Sequence, residues 1–537
     1  MKPLLIEIGT EELPAIPLIK ELPNIEKKWL SILEKYNLKT GFDFFYTPRR
    51  LTLWHREFPT KQPNTIQEFW GAPRKIAEKN PKAIEGFAKK CGIDINEVKY
   101  KTKGNQEFLY YKKEVKGKEA KELLPKMIEE WLKSLNFGKT MKWGRCKEEF
   151  IRPIRWILCM LENEAITFNS FCVTSSNFTM PHRVVKTPIF IDFVGDYFCK
   201  LDKNGVILYQ DERRKKILNE IKKIEKENNL KIEIDEDLLN EIIAITEYPT
   251  ALLGKFDEKF LELPPEVIIT SMKEHQRYFP VYKNGKLTNA FIVVSNAFTD
   301  DFSKIIAGNE KVLKARLSDA LFFYENDIKN GLSIEGLKDI IYMDNLGSMY
   351  DKVKREEKII EYLANNYNGD IEKAKKAVNL SKADLLTEMV YEFTELQGIM
   401  GYYYALKEGV NKEIAIAIKE QYSDSASNKI SALLNIARNL DNILSLFSIG
   451  KKPKGNKDPF ALRRSANHII KIALENNIPL DIKKVTYDLN KNYNNLNPNE
   501  VIEFISERLY KFYNVNPSVI RAVLNTCLLY TSPSPRD

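Results

Sequence analysis

The chain has 537 residues, more than one hydrophobic core usually accommodates, and this length predicts several domains. Hydrophobic residues make up 43% and charged residues 29%, the composition of an ordinary folded protein rather than a disordered or fibrous one. Lysine and arginine outnumber aspartate and glutamate by 83 to 74, and the net charge of +9 permits an acidic partner such as RNA without requiring one.

Patterns typical of secreted and membrane proteins are missing from the sequence. The first residues are charged too early for a signal peptide, and no apolar run approaches the roughly 20 residues that cross a bilayer. The 6 cysteines form no C-x-x-C pair, so we expect buried reduced thiols rather than disulfides or a zinc frame. Together these features predict a cytoplasmic protein without a membrane partner.

The N-terminal part mixes predicted strands with predicted helices. Leu4–Ile8 and Leu51–His55 are apolar runs of strand length. Glu107–Val115 predicts another strand, and Glu119–Leu135 has the apolar spacing of an amphipathic helix.

A hairpin is the clearest local signal. Arg277–Tyr282 leads into Asn284-Gly285, and Leu287–Ser295 returns as an apolar strand. The Asn-Gly pair readily adopts the positive φ of a tight type I′ turn. We therefore expect residues 1–300 to form an α+β region of two or more domains.

After about residue 301 the apolar spacing becomes mainly helical. The predicted helices are Asp301–Asp327, Tyr350–Asn365, Ile371–Val378, Ser381–Phe393, Lys412–Glu420, Lys429–Phe447 and Pro459–Glu475. We expect a helical connector at 301–340, a helical domain at 341–480 and the start of a further helical region at 481–526. Residues 527–537 have an unrelated, non-native-looking composition.

Common catalytic motifs are absent from the sequence. Gly450 and Gly455 have the spacing of a phosphate-binding loop, but Asn456 stands where that loop needs lysine. The 4 histidines include no pair at the helical i, i+4 spacing of a metal site, and no nucleophile elbow or dinucleotide fingerprint occurs. We expect no catalytic residue on this chain.

Several segments combine cations with aromatic rings, as single-stranded RNA recognition favours. Arg49 and Arg50 are adjacent, Lys142 precedes Trp143, and Ser271–Phe279 carries further basic and aromatic residues. Each has a second interpretation, because the two arginines could pair with acidic neighbours and the tryptophan could belong to a core.

The helical half permits one enzymatic alternative, an HD-type phosphohydrolase. Asp384 and Asp441 stand on predicted helices, and such enzymes bind metal through a His-Asp doublet. Neither aspartate follows a histidine, and carboxylates without imidazoles make a poor transition-metal site.

Six blocks of sequence resemble, in the same order, those of bacterial glycyl-tRNA synthetase β subunits. They are Leu5–Pro14, Thr47–Leu51, Met272–Val281, Gly308–Ala320, Ser381–Gly401 and Lys454–Arg464. The blocks extend over nearly the whole chain.

The resemblance implies an assembly of two α and two β subunits. The α subunit, a class II synthetase, activates glycine with ATP, and the β subunit binds and positions tRNA(Gly). ATP is therefore expected on the α subunit, and no metal is expected on this chain. Ala383 stands where an active HD enzyme carries histidine, so the resemblance implies a degenerate HD-like domain. Family members continue into a helical anticodon-binding domain. We expect this chain to be truncated at its C-terminal end, near the point where that domain begins.

The residues expected to contact tRNA are basic groups of the family blocks and basic or aromatic groups near them. They are Arg49, Arg50, Lys142, Trp143, Arg152, His182, Arg183, Lys273, Arg277, Lys311, Arg316, Lys452, Lys454, Lys457, Arg463 and Arg464. The basic segment 450–457 could equally be a solvated connector.

Two other functions stay open at this point. A metal-dependent HD-type phosphohydrolase would purify with bound metal, and a non-catalytic RNA-binding scaffold outside translation would lack a tightly bound class II partner.

Overall fold

The computed structural model describes residues 1–513 and Asn516. The chain forms two units, each described separately below. Unit 1 comprises Met1–Lys255 and Gln276–Glu310, and unit 2 comprises Phe256–His275 and the chain from Lys311 onward. The architecture is mixed α/β with 50% helix and 19% strand, which confirms the coarse fold class.

The strands of the described residues are β1 (Lys2–Thr10), β2 (Asp43–Thr47), β3 (Arg50–Phe58), β4 (Thr65–Pro73), β5 (Lys99–Lys103), β6 (Gln106–Val115), β7 (Ile154–Leu161), β8 (Glu164–Ala165), β9 (Asn169–Ser170), β10 (Val173–Thr174), β11 (Phe178–Thr179), β12 (Ile189–Phe190), β13 (Lys231–Ile232), β14 (Thr250–Lys255), β15 (Phe279–Lys283), β16 (Lys286–Ser295), β17 (Ile341–Met343) and β18 (Gly347–Ser348). The α-helices are α1 (Ala15–Lys35), α2 (Arg74–Ala77), α3 (Pro81–Cys91), α4 (Ala120–Ser134), α5 (Tyr197–Lys203), α6 (Gln210–Asn228), α7 (Glu236–Ile245), α8 (Pro265–Thr270), α9 (Ser303–Asn330), α10 (Met349–Asn366), α11 (Ile371–Leu380), α12 (Glu388–Glu392), α13 (Ile399–Lys407), α14 (Lys412–Glu420), α15 (Lys429–Ser448), α16 (Leu462–Glu475), α17 (Ile482–Leu489) and α18 (Pro498–Ser506).

A five-stranded antiparallel sheet of order β2-β3-β1-β7-β8 lies at the centre of unit 1. Side chains alternate along β1, so Leu4, Ile6 and Ile8 enter one core while Leu5 enters another. Glu7 is also fully buried, on the same side as Leu5. The predicted strand is confirmed, and its continuous apolar run follows from burial on both faces.

Helices α1 and α4 cover the first face of this sheet. Trp29 of α1 and Trp131 of α4 are fully buried and meet edge-on, with ring centroids 5.7 Å apart. The sequence analysis did not predict α1. Pro23 lies inside this helix, and an interior proline removes a backbone donor and normally signals a helix end.

The predicted hairpin is confirmed as β15 and β16, which pair antiparallel. Asn284 has φ 52° and Gly285 has φ 76°, the left-handed conformation that the tight turn requires. The hairpin belongs to a second sheet of unit 1, of order β13-β15-β16-β14. A third sheet, of order β4-β6-β5, packs against α3.

Unit 2 is built around α15. Nearly every residue of this helix is buried, and α10, α11, α14 and α16 pack against it. A helix that is buried on all sides needs such a complete cover, and its buried polar residues, such as Asn435 and Asp441, need partners among the covering elements. The helices predicted for these five segments are confirmed.

The single helix predicted for Ser381–Phe393 is wrong. The segment forms a short 3₁₀ turn, Ala383–Leu386, and then α12. Thr387 interrupts the helix, because its hydroxyl accepts a hydrogen bond from the backbone N–H of Val390 and so caps α12.

The expectation of buried thiols holds only in part. Cys91, Cys146 and Cys159 are buried and free, whereas Cys172 and Cys199 are free but exposed. The remaining cysteine and the tail 527–537 lie outside the described residues. Within the described part of the chain, every helix is too short or too polar to cross a membrane.

Asp384 provides a test of the packing in unit 2. Burial raises the pKa of Asp384 to about 6, although the backbone N–H groups of Gly398 and Gly401 donate to its Oδ2. The unfolded chain has the lower pKa, so the ionised form opposes folding as pH rises through this window. We expect Asp384→Asn to gain up to ~3 kcal/mol of stability relative to the wild type between about pH 4 and pH 7, since one pKa unit corresponds to about 1.4 kcal/mol.

Denaturant unfolding over a pH series measures this difference. Asp339→Asn, which removes an exposed carboxylate, is the matched control for the loss of one negative charge. Parallel pH profiles for Asp384→Asn and the wild type would contradict the burial argument.

Candidate nucleic-acid interface

Arg50 is buried in an ionic network inside unit 1. Its Nη2 lies 3.0 Å from Oε1 of Glu247, and its Nη1 lies 3.7 Å from Oε1 of Glu7. All three side chains are at most 1% exposed. Burial alone would lower the pKa of Arg50, but the two carboxylates raise it above its ordinary value. Arg50 therefore stays charged as a core residue and cannot reach a phosphate in this conformation.

Arg49 lies at the edge of the same network. Its Nη1 donates to the carbonyl of Pro181 at 3.2 Å and lies 3.7 Å from Oε2 of Glu247. The guanidinium stands over the ring of Trp156, 5.6 Å from the centroid. Its side chain is 16% exposed, so little of its charge is available to a partner.

His182 is fully buried and its ring packs beside Phe298, with centroids 6.3 Å apart. Burial lowers its pKa, which favours the neutral ring at pH 7. Trp143 is partly buried against the core of the central sheet. Among the residues expected to contact tRNA, these two therefore have mainly internal contacts.

Several of the other cations expected at the interface also pair with carboxylates. The pairs are Lys142–Glu149 at 3.3 Å, Arg183–Glu12 at 2.6 Å, Arg277–Glu241 at 3.0 Å, Arg316–Glu392 at 2.7 Å and Lys452–Glu500. Exposed pairs of this kind contribute little stability, but a phosphate must compete with the carboxylate to bind the cation. Lys273 lies half-buried in the π-helical turn Ser271–Gln276.

A second group of cations is exposed and lies beyond ion-pair distance of any carboxylate in the described residues. Its members are Arg152, Lys311, Lys454, Lys457 and Arg464. No carboxylate in the described residues pairs with them, so these are the positions where a phosphate gains most.

Three members of this group lie close together in sequence on unit 2: Lys454 and Lys457 in the loop between α15 and α16, and Arg464 in the first turn of α16. The loop has a defined shape, because Lys454 and Lys457 exchange backbone hydrogen bonds of 3.0 and 2.9 Å. Arg463 donates from Nη2 to the carbonyl of Gly455 at 2.5 Å, which ties the loop to the start of α16. Asp458 accepts from the backbone N–H of Arg463 at 2.9 Å and fixes the same junction. We call Lys454, Lys457 and Arg464 the basic loop cluster.

An aromatic ring in the same segment, Phe460, was not among the residues expected from the sequence to contact tRNA. Phe460 is 38% exposed, and Nζ of Lys451 lies 5.4 Å from its ring centroid. An exposed ring next to cations offers a surface on which an unpaired base can stack. The signal was present, because Phe460 lies in one of the family blocks.

A second cation and aromatic surface was also missed, on the third sheet of unit 1. Lys101 lies over the rings of Tyr110 and Trp70, at 4.4 and 5.4 Å, and Lys103 lies 5.3 Å from Trp70. The residues come from three different strands, so their proximity depends on strand pairing rather than on sequence spacing.

Comparison with known proteins identifies the class of protein to which this chain belongs. The family model described as "Glycyl-tRNA synthetase beta subunit" matches residues 4–525. Three similar proteins are each called "Glycine--tRNA ligase beta subunit". That of Helicobacter pylori (strain G27) is 44% identical, that of Aquifex aeolicus (strain VF5) 41% and that of Clostridioides difficile (strain 630) 39%. Each alignment covers 97% of this chain and 80% of the relative.

These matches define the chain as part of an aminoacyl-tRNA synthetase, a ligase of protein biosynthesis. It belongs to the glycyl-tRNA synthetase β subunit family and serves as the β subunit in glycyl-tRNA synthesis. The resemblance seen in the sequence blocks is thereby confirmed.

The buried network predicts the result of removing Arg50. Arg50→Ala leaves Glu7 and Glu247 as buried carboxylates without their cation, and we expect a loss of about 3–5 kcal/mol in the free energy of unfolding. Lys454→Ala, at an exposed site, should change stability by less than about 0.5 kcal/mol. Chemical denaturation of both variants measures this, and an Arg50→Ala protein of wild-type stability would contradict the structural role.

Proposed function

We propose that this β subunit binds tRNA(Gly) and positions its 3′ end for ATP-dependent aminoacylation on the α subunit. The observation that carries the proposal is the basic loop cluster, three exposed cations without a carboxylate partner among the described residues. Most of the other cations expected at the interface have a carboxylate partner within the chain.

The shape of the loop also favours RNA binding. A loop held by its own hydrogen bonds loses little conformational freedom when a ligand binds, so more of the attraction to phosphates becomes affinity. The exposed ring of Phe460, 5.4 Å from Nζ of Lys451, adds a stacking surface for an unpaired base in the same segment. The contribution to catalysis is then positioning, since holding two reactants in register lowers the barrier without a bond-making group on this chain.

The two aspartates of the HD-type alternative support a scaffold rather than a hydrolase. Asp441 accepts hydrogen bonds from Lys352 at 2.8 Å, Arg355 at 2.9 Å and Tyr493 at 2.9 Å. Asp384 uses Oδ2 for two backbone N–H groups. Protein donors occupy the carboxylate of Asp441 and Oδ2 of Asp384, and no histidine stands beside either aspartate, so these carboxylates are poorly suited to metal. We therefore propose that residues 341–480 are a degenerate HD-like domain.

The remaining expectations extend the same proposal. We infer an assembly of two α and two β subunits in the cytoplasm, with ATP bound on the α subunit. We propose the domain organisation 1–300, 301–340, 341–480 and 481–526. The β15–β16 hairpin lies in the first of these regions, and α15 lies in the third.

Removing the basic loop cluster tests its role in binding. In Lys454→Ala/Lys457→Ala/Arg464→Ala we expect weaker tRNA(Gly) binding and a flatter dependence of log K on log salt, by roughly 0.7–0.9 for each phosphate that the variant no longer neutralises. The matched control is Lys35→Ala/Lys39→Ala/Lys133→Ala, which removes the same charge at positions paired with Glu130, Glu34 and Glu129. Equal slopes for the two triple variants would rule out the basic loop cluster as a site of phosphate binding.

Aminoacylation assays test the division of labour. We expect glycine to be charged onto tRNA(Gly) only when α and β are combined, and not by either alone. Glycine-dependent ATP–pyrophosphate exchange should be unchanged by the basic loop variant, while its KM for tRNA rises. Full charging activity of the α subunit alone would contradict the proposal, and so would charging by this chain alone.

A further inference from the structure

Three metal-ligating side chains converge in unit 1, outside the proposed tRNA contacts. They are Cys146, Glu148 and Cys172, and their ligand atoms all lie within 4.8 Å of one another. The two thiols are far apart in sequence and do not form a C-x-x-C motif, so no sequence pattern predicts their proximity. We call this set the thiol–carboxylate cluster.

The first two side chains come from one closed loop. Met141 and Phe150 exchange backbone hydrogen bonds of 2.8 and 3.2 Å, which brings the ends of the loop together. Within it, the backbone N–H of Cys146 donates to the carbonyl of Trp143 at 3.0 Å. Cys146 is thereby buried, while Glu148 two residues later is half-exposed.

The third side chain comes from a tight turn with unusual residues. β9 and β10 are joined by Phe171 and Cys172, with φ of 50° and 60°. Asn and Gly normally occupy such a turn, because other side chains crowd the backbone at positive φ. The ring of Phe171 is buried 6.0 Å from that of Phe150, which anchors the turn against the loop and brings Cys172 beside Glu148.

The distances are close to those of a tetrahedral metal site. Metal–sulfur bonds of about 2.3 Å and metal–oxygen bonds of about 2.0–2.2 Å place sulfur and oxygen ligands roughly 3.5–3.7 Å apart. Oε2 of Glu148 lies 3.2 Å from Sγ of Cys146 and 4.0 Å from Sγ of Cys172, on either side of that separation. Little movement would be needed to admit an ion. Two thiolates select zinc over magnesium and calcium, which prefer oxygen ligands alone.

We propose that Cys146, Glu148 and Cys172 bind one Zn²⁺ ion, with water in the fourth coordination position. Both thiols lose their protons to solvent as the ion binds. The ion links the loop between Met141 and Phe150 to the β9–β10 turn and so rigidifies it. The expectation of a chain without metal is revised accordingly. This inference does not rest on the tRNA contacts, and each can fail without the other.

Cobalt provides a direct probe of the site. The full-length chain, stripped with a chelator and kept in a phosphine reductant, is titrated with Co²⁺. We expect one equivalent of Co²⁺ to bind. The bound ion should show thiolate-to-cobalt charge-transfer absorption and the intense visible bands of a tetrahedral site, and both should disappear when Zn²⁺ displaces Co²⁺. Cys172→Ser and Glu148→Gln should weaken Zn²⁺ binding by about tenfold or more. Cys199→Ser, at a second thiol that is exposed in the described residues, is the matched control and should bind as the wild type.

Proteolysis gives a readout that does not depend on the spectrum. Zn²⁺ should slow tryptic cleavage after Lys142, Arg145 and Lys147 in the wild type and in Cys199→Ser, but not in Cys172→Ser. Circular dichroism checks that each variant is folded, which the exposed position of Cys172 favours.

Three results would overturn the proposal. One is the lack of a charge-transfer band in the reduced wild type, and another is an unchanged band in Cys172→Ser. The third is recovery of a Cys146–Cys172 disulfide after mild peroxide treatment in a protein whose reduced form takes up no metal. That outcome would assign the pair to redox chemistry, with peroxide as the two-electron oxidant.

Discussion

The guanidinium of Arg50 holds together segments of unit 1 that are far apart in sequence. It stands on β3 and pairs with Glu7 of β1 and with Glu247 beyond α7, and its Nη2 also donates to the carbonyl of Met180 at 2.9 Å. A buried charge is costly unless each donor finds a partner, so these segments can pack only in the arrangement that supplies both carboxylates. The central sheet and the segment after α7 are thereby fixed to each other.

A second buried guanidinium in unit 1, that of Arg213, also has partners for its donors, but these partners are backbone carbonyls rather than carboxylates. Arg213 donates to the carbonyls of Ile207, Leu208 and Tyr46 at 2.7–2.9 Å. Burial lowers its pKa to about 10, because carbonyl dipoles compensate a charge less completely than carboxylates do. Arg50 was expected to contact tRNA but instead serves the interior of unit 1. Among the cations expected to contact tRNA, those that are exposed and have no carboxylate partner in the described residues form the smaller group.

Features that depend on residues close together in the sequence were predicted, whereas features that depend on residues far apart in the sequence were not. The hairpin at Asn284-Gly285 and the helices around α15 follow from local turn chemistry and apolar spacing, so they were predicted. The burial of Arg50 depends on Glu247, which lies almost 200 residues away, and no local pattern reveals it. The thiol–carboxylate cluster was hidden for the same reason. Within the candidate interface, sequence alone proposed the cations of the basic loop but could not separate them from paired ones such as Lys142.

The network around Asp441 has a consequence for how unit 2 assembles. The positive charge facing this buried carboxylate belongs to Lys352 and Arg355, both on α10, and is covalently part of the chain. A tethered charge cannot be washed out by a chelator or exchanged for a competing ion. Because α10 precedes α15 in the chain, both cations are already present when Asp441 is synthesised, and the helices around α15 can close on this carboxylate without waiting for an inorganic cofactor.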